Sequence, residues 1–204
     1  MSKLLYETGE LRAECPEKDG LSEGLVKFFT RDGKCLSCTS FTKGKRQGNA
    51  TQWHANGQIK AQEFFVDDLP DGLQKYFYED GSIKAELPYN QGRLDGWVKL
   101  FWPDGKEKRL SFYKNHERHG RERLWNEAGI LVDDGTYYLG SPIGLHKHWF
   151  DDGTLKTEFF YYSAKRVDKR AYNRSGELIF KAVTGDNGEY SEIHWMDGEI
   201  IKKV

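Results

Sequence analysis

Residues 72–96 read GLQKYFYEDGSIKAELPYNQGRLDG, and this stretch decides the fold. A first run from Leu73 to Tyr78 reaches Glu79-Asp80-Gly81, and a second run from Ile83 to Tyr89 ends at Asn90-Gln91-Gly92. Runs of six or seven residues that are closed by Asp-Gly or by a glycine-containing loop are typical of β-strands in a hairpin. A helix would need ten or more periodic residues without an interior glycine. The stretch therefore predicts a β-hairpin.

Glycine recurs at a fixed step along most of the chain. One series follows the predicted hairpin turns and has a step of 24 residues: Gly9, Gly33, Gly57, Gly81, Gly105, Gly129 and Gly153. A second series keeps the same step: Gly24, Gly48, Gly72, Gly96, Gly120 and Gly144. A fixed period of this length indicates a repeat protein, in which one supersecondary unit is stacked on copies of itself.

Apolar residues recur at fixed distances from the turn glycines, and each such set of equivalent residues is called a column. These columns predict how the two strands of a hairpin pair. The residue four before the glycine is Leu, Phe or Trp, the residue two after it is mostly Leu or Ile, and the residue eight after it is mostly Phe or Tyr. A three-residue loop with glycine in the left-handed conformation pairs the first column with the second. We then expect all three columns on one face, with the Lys/Arg column six before the glycine opposite Ala61, Ala85 and Thr157.

The repeat decays towards the C-terminus, where the next turn-like glycines, Gly176 and Gly198, follow at shorter steps. Terminal repeats are atypical because they cap an otherwise open stack. We predict β-hairpin repeats over residues 1–164 and degenerate capping hairpins over residues 165–204, in one continuous sheet. The predicted fold class is all-β, an elongated single-layer antiparallel β-hairpin repeat array with a degenerate C-terminal cap.

Composition excludes several classes of function. The 204 residues carry a net charge of -1, which argues against a dedicated nucleic-acid binder with a basic face. The apolar runs are too short to span a bilayer, and the N-terminus lacks the apolar core of a signal peptide. We therefore expect a cytoplasmic protein without a transmembrane segment, whose three cysteines are reduced thiols.

The repeat unit resembles a MORN repeat. The pattern Tyr89-x-x-Gly92-x-x-x-Gly96-x4-Phe101-x3-Gly105-x-Glu107 carries the resemblance, and it recurs from Phe41 and from Tyr137. It is most similar to the bacterial variant found in YwqK-family antitoxins. The departures are Asp68 and His116 where that family has glycine, and Glu107 in the Leu/Ile column. The resemblance implies a curved antiparallel sheet that binds partners along its surface, without a cofactor.

No residue pattern predicts catalysis, so we expect a protein that is not an enzyme. The chain has no nucleophile elbow, P-loop or dinucleotide fingerprint. Cys35-x-x-Cys38 lacks a second pair that would complete four zinc ligands, and His146-x-His148 lacks a third ligand. We interpret both pairs as structural and predict no cofactor and no metal.

Residues that vary between repeats are free to carry specificity. Three and five residues before the turn glycines, aromatic side chains recur with lysines nearby, as expected for a binding surface. The candidate partner-binding residues are Tyr76, Tyr78, Leu100, Trp102, His148, Phe150, Lys84 and Lys108. An equal alternative is that these aromatics only cover the second face of the sheet.

We predict a protein partner, such as a toxin or effector, bound by an antitoxin- or immunity-type protein. The alternative is a scaffold with weak contacts to an anionic lipid surface. We predict that the protein is a monomer or an edge-to-edge dimer.

Overall fold

A computed structural model describes residues 2–204 of the chain. These residues form antiparallel strands and turns and contain no helix, so none of them forms a helical membrane span. The predicted all-β class and the antiparallel hairpin repeat are confirmed. The chain divides into two compact units, of which the first ends at Gly105 and the second begins at Lys106. This boundary lies inside the regular repeats, so the division into repeats and cap stays a prediction.

The first unit consists of thirteen strands within its described residues, most of them arms of hairpins. The strands are β1 (Ser2–Leu5), β2 (Leu11–Cys15), β3 (Glu17–Lys18), β4 (Leu21–Ser22), β5 (Gly24–Phe29), β6 (Cys35–Thr42), β7 (Lys45–Trp53), β8 (Ile59–Val66), β9 (Leu69–Pro70), β10 (Gly72–Phe77), β11 (Ile83–Asn90), β12 (Arg93–Leu94) and β13 (Gly96–Phe101).

The second unit contains nine strands over residues 106–204, and each strand pairs with the next along the chain. The strands are β14 (Glu107–Lys114), β15 (Glu117–Trp125), β16 (Leu131–Tyr138), β17 (Ser141–Trp149), β18 (Leu155–Tyr161), β19 (Val167–Tyr172), β20 (Leu178–Thr184), β21 (Tyr190–Met196) and β22 (Glu199–Lys203).

The hairpin turn has the predicted geometry. The Gly81 N–H donates to the Tyr78 carbonyl at 3.0 Å, and the Tyr78 N–H donates to the Ser82 carbonyl at 2.9 Å. Gly81 has a φ of 86°, a left-handed conformation that costs glycine little because it has no Cβ. Phe77 lies opposite Ile83, as the three-residue loop with a G1 bulge requires. The predicted register at the turn is therefore confirmed.

A second bulge follows the turn and changes which residues share a face. Tyr76 pairs with Ala85 and Lys75 pairs with Glu86, so Lys84 is an extra residue without a partner in the ladder. The same shift occurs in the other complete hairpins of both units. An extra residue reverses the facing of all later side chains in its strand. The expectation that all three apolar columns share one face, with the lysines opposite Ala61, Ala85 and Thr157, is therefore wrong.

The two faces differ in burial. Face A carries the residues four before and two after each turn glycine, such as Phe77 and Ile83. Face B carries the alternate residues, such as Gln74, Tyr76 and Ala85. Most buried side chains belong to face B: Ala13, Val26, Ala50, Ala61, Phe65, Gln74, Ala85, Val98, Ser111, Glu122 and His146. Face B is therefore the better-buried face, and the predicted set Tyr76, Leu100 and His148 belongs to it.

Polar side chains are buried on face B because they satisfy backbone groups where one hairpin meets the next. The Gln74 amide accepts from the Phe64 N–H at 2.8 Å and donates to the Phe64 carbonyl at 3.0 Å. His146 Nε2 lies 3.1 Å from the Thr136 nitrogen and 2.8 Å from its carbonyl oxygen. Gln74 and His146 occupy the same repeat position, seven before the turn glycine. A buried polar group is tolerated when it is hydrogen-bonded in this way.

The linkers between hairpins keep a left-handed backbone even where glycine is missing. Asp68 and His116 have φ values of 70° and 74°, close to 80° for Gly44 and 82° for Gly92 at matching positions. Asp68 compensates in part because its carboxylate accepts from the Arg46 N–H at 2.9 Å. The departures from the glycine pattern therefore leave the local geometry unchanged.

Leu139 offers a test of this linker strain. It has a φ of 48° although it is not glycine, and its side chain is exposed. The left-handed conformation costs most residues about 1–2 kcal/mol, whereas asparagine adopts it readily before glycine. We expect Leu139→Asn to raise the free energy of unfolding by about 1 kcal/mol in urea denaturation. A decrease would show that the Leu139 side chain stabilises the linker more than its backbone strain destabilises it.

Candidate functional site

At the Gly81 turn of the first unit, an aromatic side chain lies beneath a cation. The Lys84 ammonium lies 5.5 Å from the centre of the Tyr78 ring, within the range of a cation–π contact. The Tyr78 hydroxyl donates to the Phe101 carbonyl of the following hairpin at 2.8 Å. Tyr78 therefore links two repeats. It also presents its ring, beside a lysine, at the edge of the sheet that the hairpin turns form, which we call the turn edge.

Tyr76 and Leu100 lie on either side of Ala85 on face B. Tyr76 is half-buried, and its hydroxyl donates to Glu63 at 3.0 Å. Burial, with the nearby Glu63 charge, raises the pKa of Tyr76 above its ordinary value. Both residues are thus part of the packed face B.

The second unit brings His148 and Phe150 to the corresponding positions. His148 Nδ1 lies 2.6 Å from a carboxylate oxygen of Asp133, and its ring meets Phe159 edge-on at 5.6 Å. The Phe150 ring lies between two cations, with Lys156 at 5.5 Å and Arg174 at 4.6 Å. The aromatic–cation arrangement of Tyr78 therefore recurs at Phe150.

Trp102 and Lys108 are both half-buried, and they belong to different units. Trp102 follows the end of β13, and Lys108 lies inside β14. Trp102 stands three before its turn glycine, as Tyr78 and Phe150 do, so the repeat gives it the same place at the turn edge. The eight predicted residues therefore fall into two sets, one in each unit, and their role in partner binding stays a prediction.

Several lysines of the basic column on face A lie near carboxylates. Glu86 lies 3.9 Å from the Lys75 ammonium and 3.5 Å from that of Lys99. Lys147 approaches Glu158 at 3.2 Å in the second unit. These contacts arise because the second bulge places an acidic column opposite the basic one. Around Glu86 and Glu158 these contacts reduce, without cancelling, the positive charge that the column offers to an anionic surface.

The cysteine and histidine pairs have structural environments. Cys15, Cys35 and Cys38 are free thiols, and burial raises the pKa of Cys38. Cys35 lies in the Leu/Ile column opposite Phe29. His146 is buried and bonded to the backbone of Thr136. Within residues 2–204, no three His, Cys, Asp or Glu side chains are grouped as a metal site.

Sequence reasoning missed two features of the surface. One is the arginine from the next turn that covers an aromatic ring: Arg174 lies over Phe150, and Arg31 lies 5.4 Å from the centre of the Tyr6 ring. The other is a set of exposed apolar residues on face A, which includes Leu73, Leu145 and Phe160. The recurrence of leucine eight before the turn glycine is the signal that would have revealed this second set.

A protein-family model matches part of the repeat array. The family model described as the MORN repeat variant matches residues 46–67 and 70–91, two adjacent repeats of the first unit. None of the curated proteins compared with the chain matches it.

One similar solved structure is described as the crystal structure of TcdB2-TccC3. The match has a TM-score of 0.25 and 9% identity, and it covers 93% of this chain but 12% of the other. The chain thus spans a small part of that protein, and a score this low supports no conclusion about function. Of these comparisons, the family model is informative: two central hairpins of the first unit match the MORN repeat variant, which is typical of repeat-based binding or scaffold proteins.

Proposed function

We propose that the chain is a non-enzymatic protein-binding repeat protein of the antitoxin or immunity type, which binds a partner protein and covers its surface. The observation that carries the proposal is the recurrence of an aromatic ring beside a cation at the hairpin turns, with Lys84 over Tyr78 and with Lys156 and Arg174 around Phe150. Aromatic and arginine side chains supply much of the binding energy in protein interfaces.

The repeat architecture supports a binding role because stacked repeats present an extended surface. In this chain the scaffold positions recur, whereas the residue three before each turn glycine changes: Tyr6, Thr30, His54, Tyr78, Trp102, Asn126 and Phe150. A position that changes while its neighbours recur is suited to recognise one particular partner.

A scaffold role at an anionic lipid surface has less support. It would need free cations, yet Lys75 and Lys99 share Glu86, and Lys147 pairs with Glu158. Partly exposed pairs of this kind are weak, but they reduce the local positive potential that anionic lipids would recognise.

The test is binding of the tagged chain to the product of the gene adjacent to its own, measured by co-purification and calorimetry. We expect a stoichiometric complex that Trp102→Ala weakens by about tenfold or more, because an aromatic anchor at the turn edge is lost. Because Trp102 is half-buried like Trp53, Trp102→Ala should also lose some stability, and the affinity is therefore measured on the folded fraction.

The matched control is Trp53→Ala, which removes a scaffold tryptophan opposite Ile59. Because Trp53 is half-buried, this change should lower the free energy of unfolding by about 2 kcal/mol and leave the affinity of the folded protein unchanged. Absence of any complex would refute the antitoxin role. Unfolding of Trp102→Ala without a binding defect in its folded fraction would refute the interface assignment.

A further inference from the structure

A groove of about 400 Å³ lies on face A of the second unit, where the regular repeats end. We call it the cap groove, and its principal lining residues are Leu145, Glu158, Phe160, Tyr162, Arg170 and Lys181. Strands β17 to β20 supply all of them except Tyr162, which follows β18. Between β18 and β19 the pairing runs without the bulge seen between earlier hairpins, so the repeat geometry changes at this place.

The floor of the cap groove is apolar and exposed. Leu145 lies opposite Phe160, and the two side chains are 45% and 40% exposed. The ring of Tyr162 lies against that of Phe160 at a tilt of 49°, with 4.4 Å between the ring centres, and Tyr162 is itself 49% exposed. Apolar side chains that remain this exposed and adjacent are typical of an interaction site.

The wall of the cap groove is cationic. Lys147, Glu158, Arg170 and Lys181 lie opposite one another in one row across the strands, and Asp134 lies on the far side of Lys147, so three cations accompany two carboxylates. Glu158 already contacts Lys147 at 3.2 Å, Arg170 at 3.8 Å and the Tyr172 hydroxyl at 2.9 Å. Within residues 2–204, Lys181 has no salt bridge to a carboxylate. The row therefore has a surplus of positive charge beside the apolar floor.

The remaining carboxylate of the groove is occupied by internal contacts. Asp168 accepts from the Thr184 N–H at 3.1 Å and from the Tyr162 hydroxyl at 3.3 Å. A ligand therefore meets cations in preference to acids when it enters the groove. Because the groove lies on a sheet face and its walls are half-exposed, it is suited to a side chain from an extended segment more than to an enclosed small molecule.

We propose that the cap groove binds an acidic peptide segment of a partner protein. A large apolar side chain of the segment packs against Leu145 and Phe160, and an adjacent carboxylate contacts Arg170 and Lys181. Complementary charge beside an apolar anchor gives both affinity and selectivity. This surface is separate from the turn edge, so the proposal does not depend on an antitoxin role.

The test uses synthetic peptides and the full chain. A fluorescein-labelled peptide of sequence GEVFVEG is titrated and followed by fluorescence anisotropy, with GKVFVKG and GESGSEG as controls for charge and for the apolar anchor. We expect GEVFVEG to bind at least about tenfold more tightly than either control. Binding of all three peptides with equal affinity, or binding of none at millimolar concentration, would overturn the proposal.

Variants test whether the peptide binds in the cap groove. Phe160→Ser and Lys181→Glu should each weaken binding of GEVFVEG about tenfold or more, and both should fold because Phe160 is exposed and Lys181 is partly so. The matched control is Leu73→Ser, because Leu73 occupies the repeat position of Leu145 in the first unit and is 48% exposed. An equal loss in Leu73→Ser would contradict the assignment. Sedimentation tests for self-association: if the wild type self-associates and Phe160→Ser abolishes this, a second copy of the chain occupies the groove. That result would overturn the proposal of a peptide ligand.

Discussion

Gly135→Ala should lower the free energy of unfolding by about 3 kcal/mol, the largest effect we expect from adding one methyl group to this chain. A Cβ at position 135 would lie 2.2 Å from Nδ1 and 2.4 Å from Cε1 of His146. His146 is 3% exposed, and its ring lies between Tyr137 and Tyr161 with centre distances of 5.1 and 4.9 Å. The ring cannot move aside without losing its hydrogen bonds to Thr136. Chemical denaturation monitored by tryptophan fluorescence measures the change.

A double-mutant cycle separates this clash from other effects. His146→Ala removes the ring that Gly135 accommodates, so adding Gly135→Ala to that background should cost almost nothing. Gly185→Ala is the control, because the nearest atom to its added Cβ lies 3.6 Å away. Additive losses in the double mutant would contradict the predicted contact.

Arg109→Ala should lower the free energy of unfolding by about 3 kcal/mol, because a buried carboxylate loses two charged hydrogen bonds and keeps Arg118 as its remaining arginine partner. Glu122 is 5% exposed, and it accepts from Arg109 Nε at 3.0 Å, from Ser111 at 2.6 Å and from Arg118 at 3.1 Å. Glu122→Val should recover most of the loss in the Arg109→Ala background, because valine occupies the same repeat position at Val26 and Val98. Urea denaturation of the single and double variants measures both effects.

Lys75→Ala is the matched control for the arginine variant. It also removes a cation beside a carboxylate, but the Lys75 side chain is 41% exposed and lies 3.9 Å from Glu86, so we expect a loss below about 1 kcal/mol. Equal losses from Lys75→Ala and Arg109→Ala would show that burial of Glu122 does not determine the effect.

The acid sensitivity of the protein should depend on the same carboxylate. Burial alone would raise the pKa of Glu122, but hydrogen bonds from Ser111 and Arg109 outweigh it and hold that pKa below its ordinary value of 4.5. A group with a lowered pKa in the folded state stabilises the fold above its unfolded pKa, and this stabilisation is lost as the pH falls through the folded value. Glu122→Val should therefore lose less stability than the wild type between pH 5 and pH 3 (about the titration range of a glutamate).

The sequence predicts the turns well because their chemistry is local. Asp80-Gly81 and its repeats place the turns, the Phe/Trp and Leu/Ile columns select a three-residue loop, and the structure has Phe77 opposite Ile83 as expected. The second bulge escaped prediction because lysine, which recurs there at Lys60, Lys84 and Lys156, is not a residue type that specifies a bulge. Because of this one extra residue, the aromatic residues eight after the turn glycines lie on face B. The basic column lies opposite other residues than those expected.

The candidate site was predictable where neighbours in one hairpin form it. Lys84 over Tyr78 follows from spacing across one turn. The contact of Arg174 with Phe150 joins two hairpins through a long side chain, and spacing does not reveal it. Sequence reasoning did not identify Gln74 and His146 as buried, because they satisfy backbone groups that only the three-dimensional arrangement leaves unpaired.

The register of the second bulge decides which residues face a partner, and cross-strand nuclear Overhauser contacts in the hairpin of residues 72–90 test it most directly. The structure predicts contacts of Tyr76 with Ala85 and of Lys75 with Glu86. Contacts of Tyr76 with Lys84 and of Lys75 with Ala85 would show an uninterrupted register. Such contacts would mean that the basic column lies opposite small residues such as Ala85, and they would contradict the assignment of faces A and B.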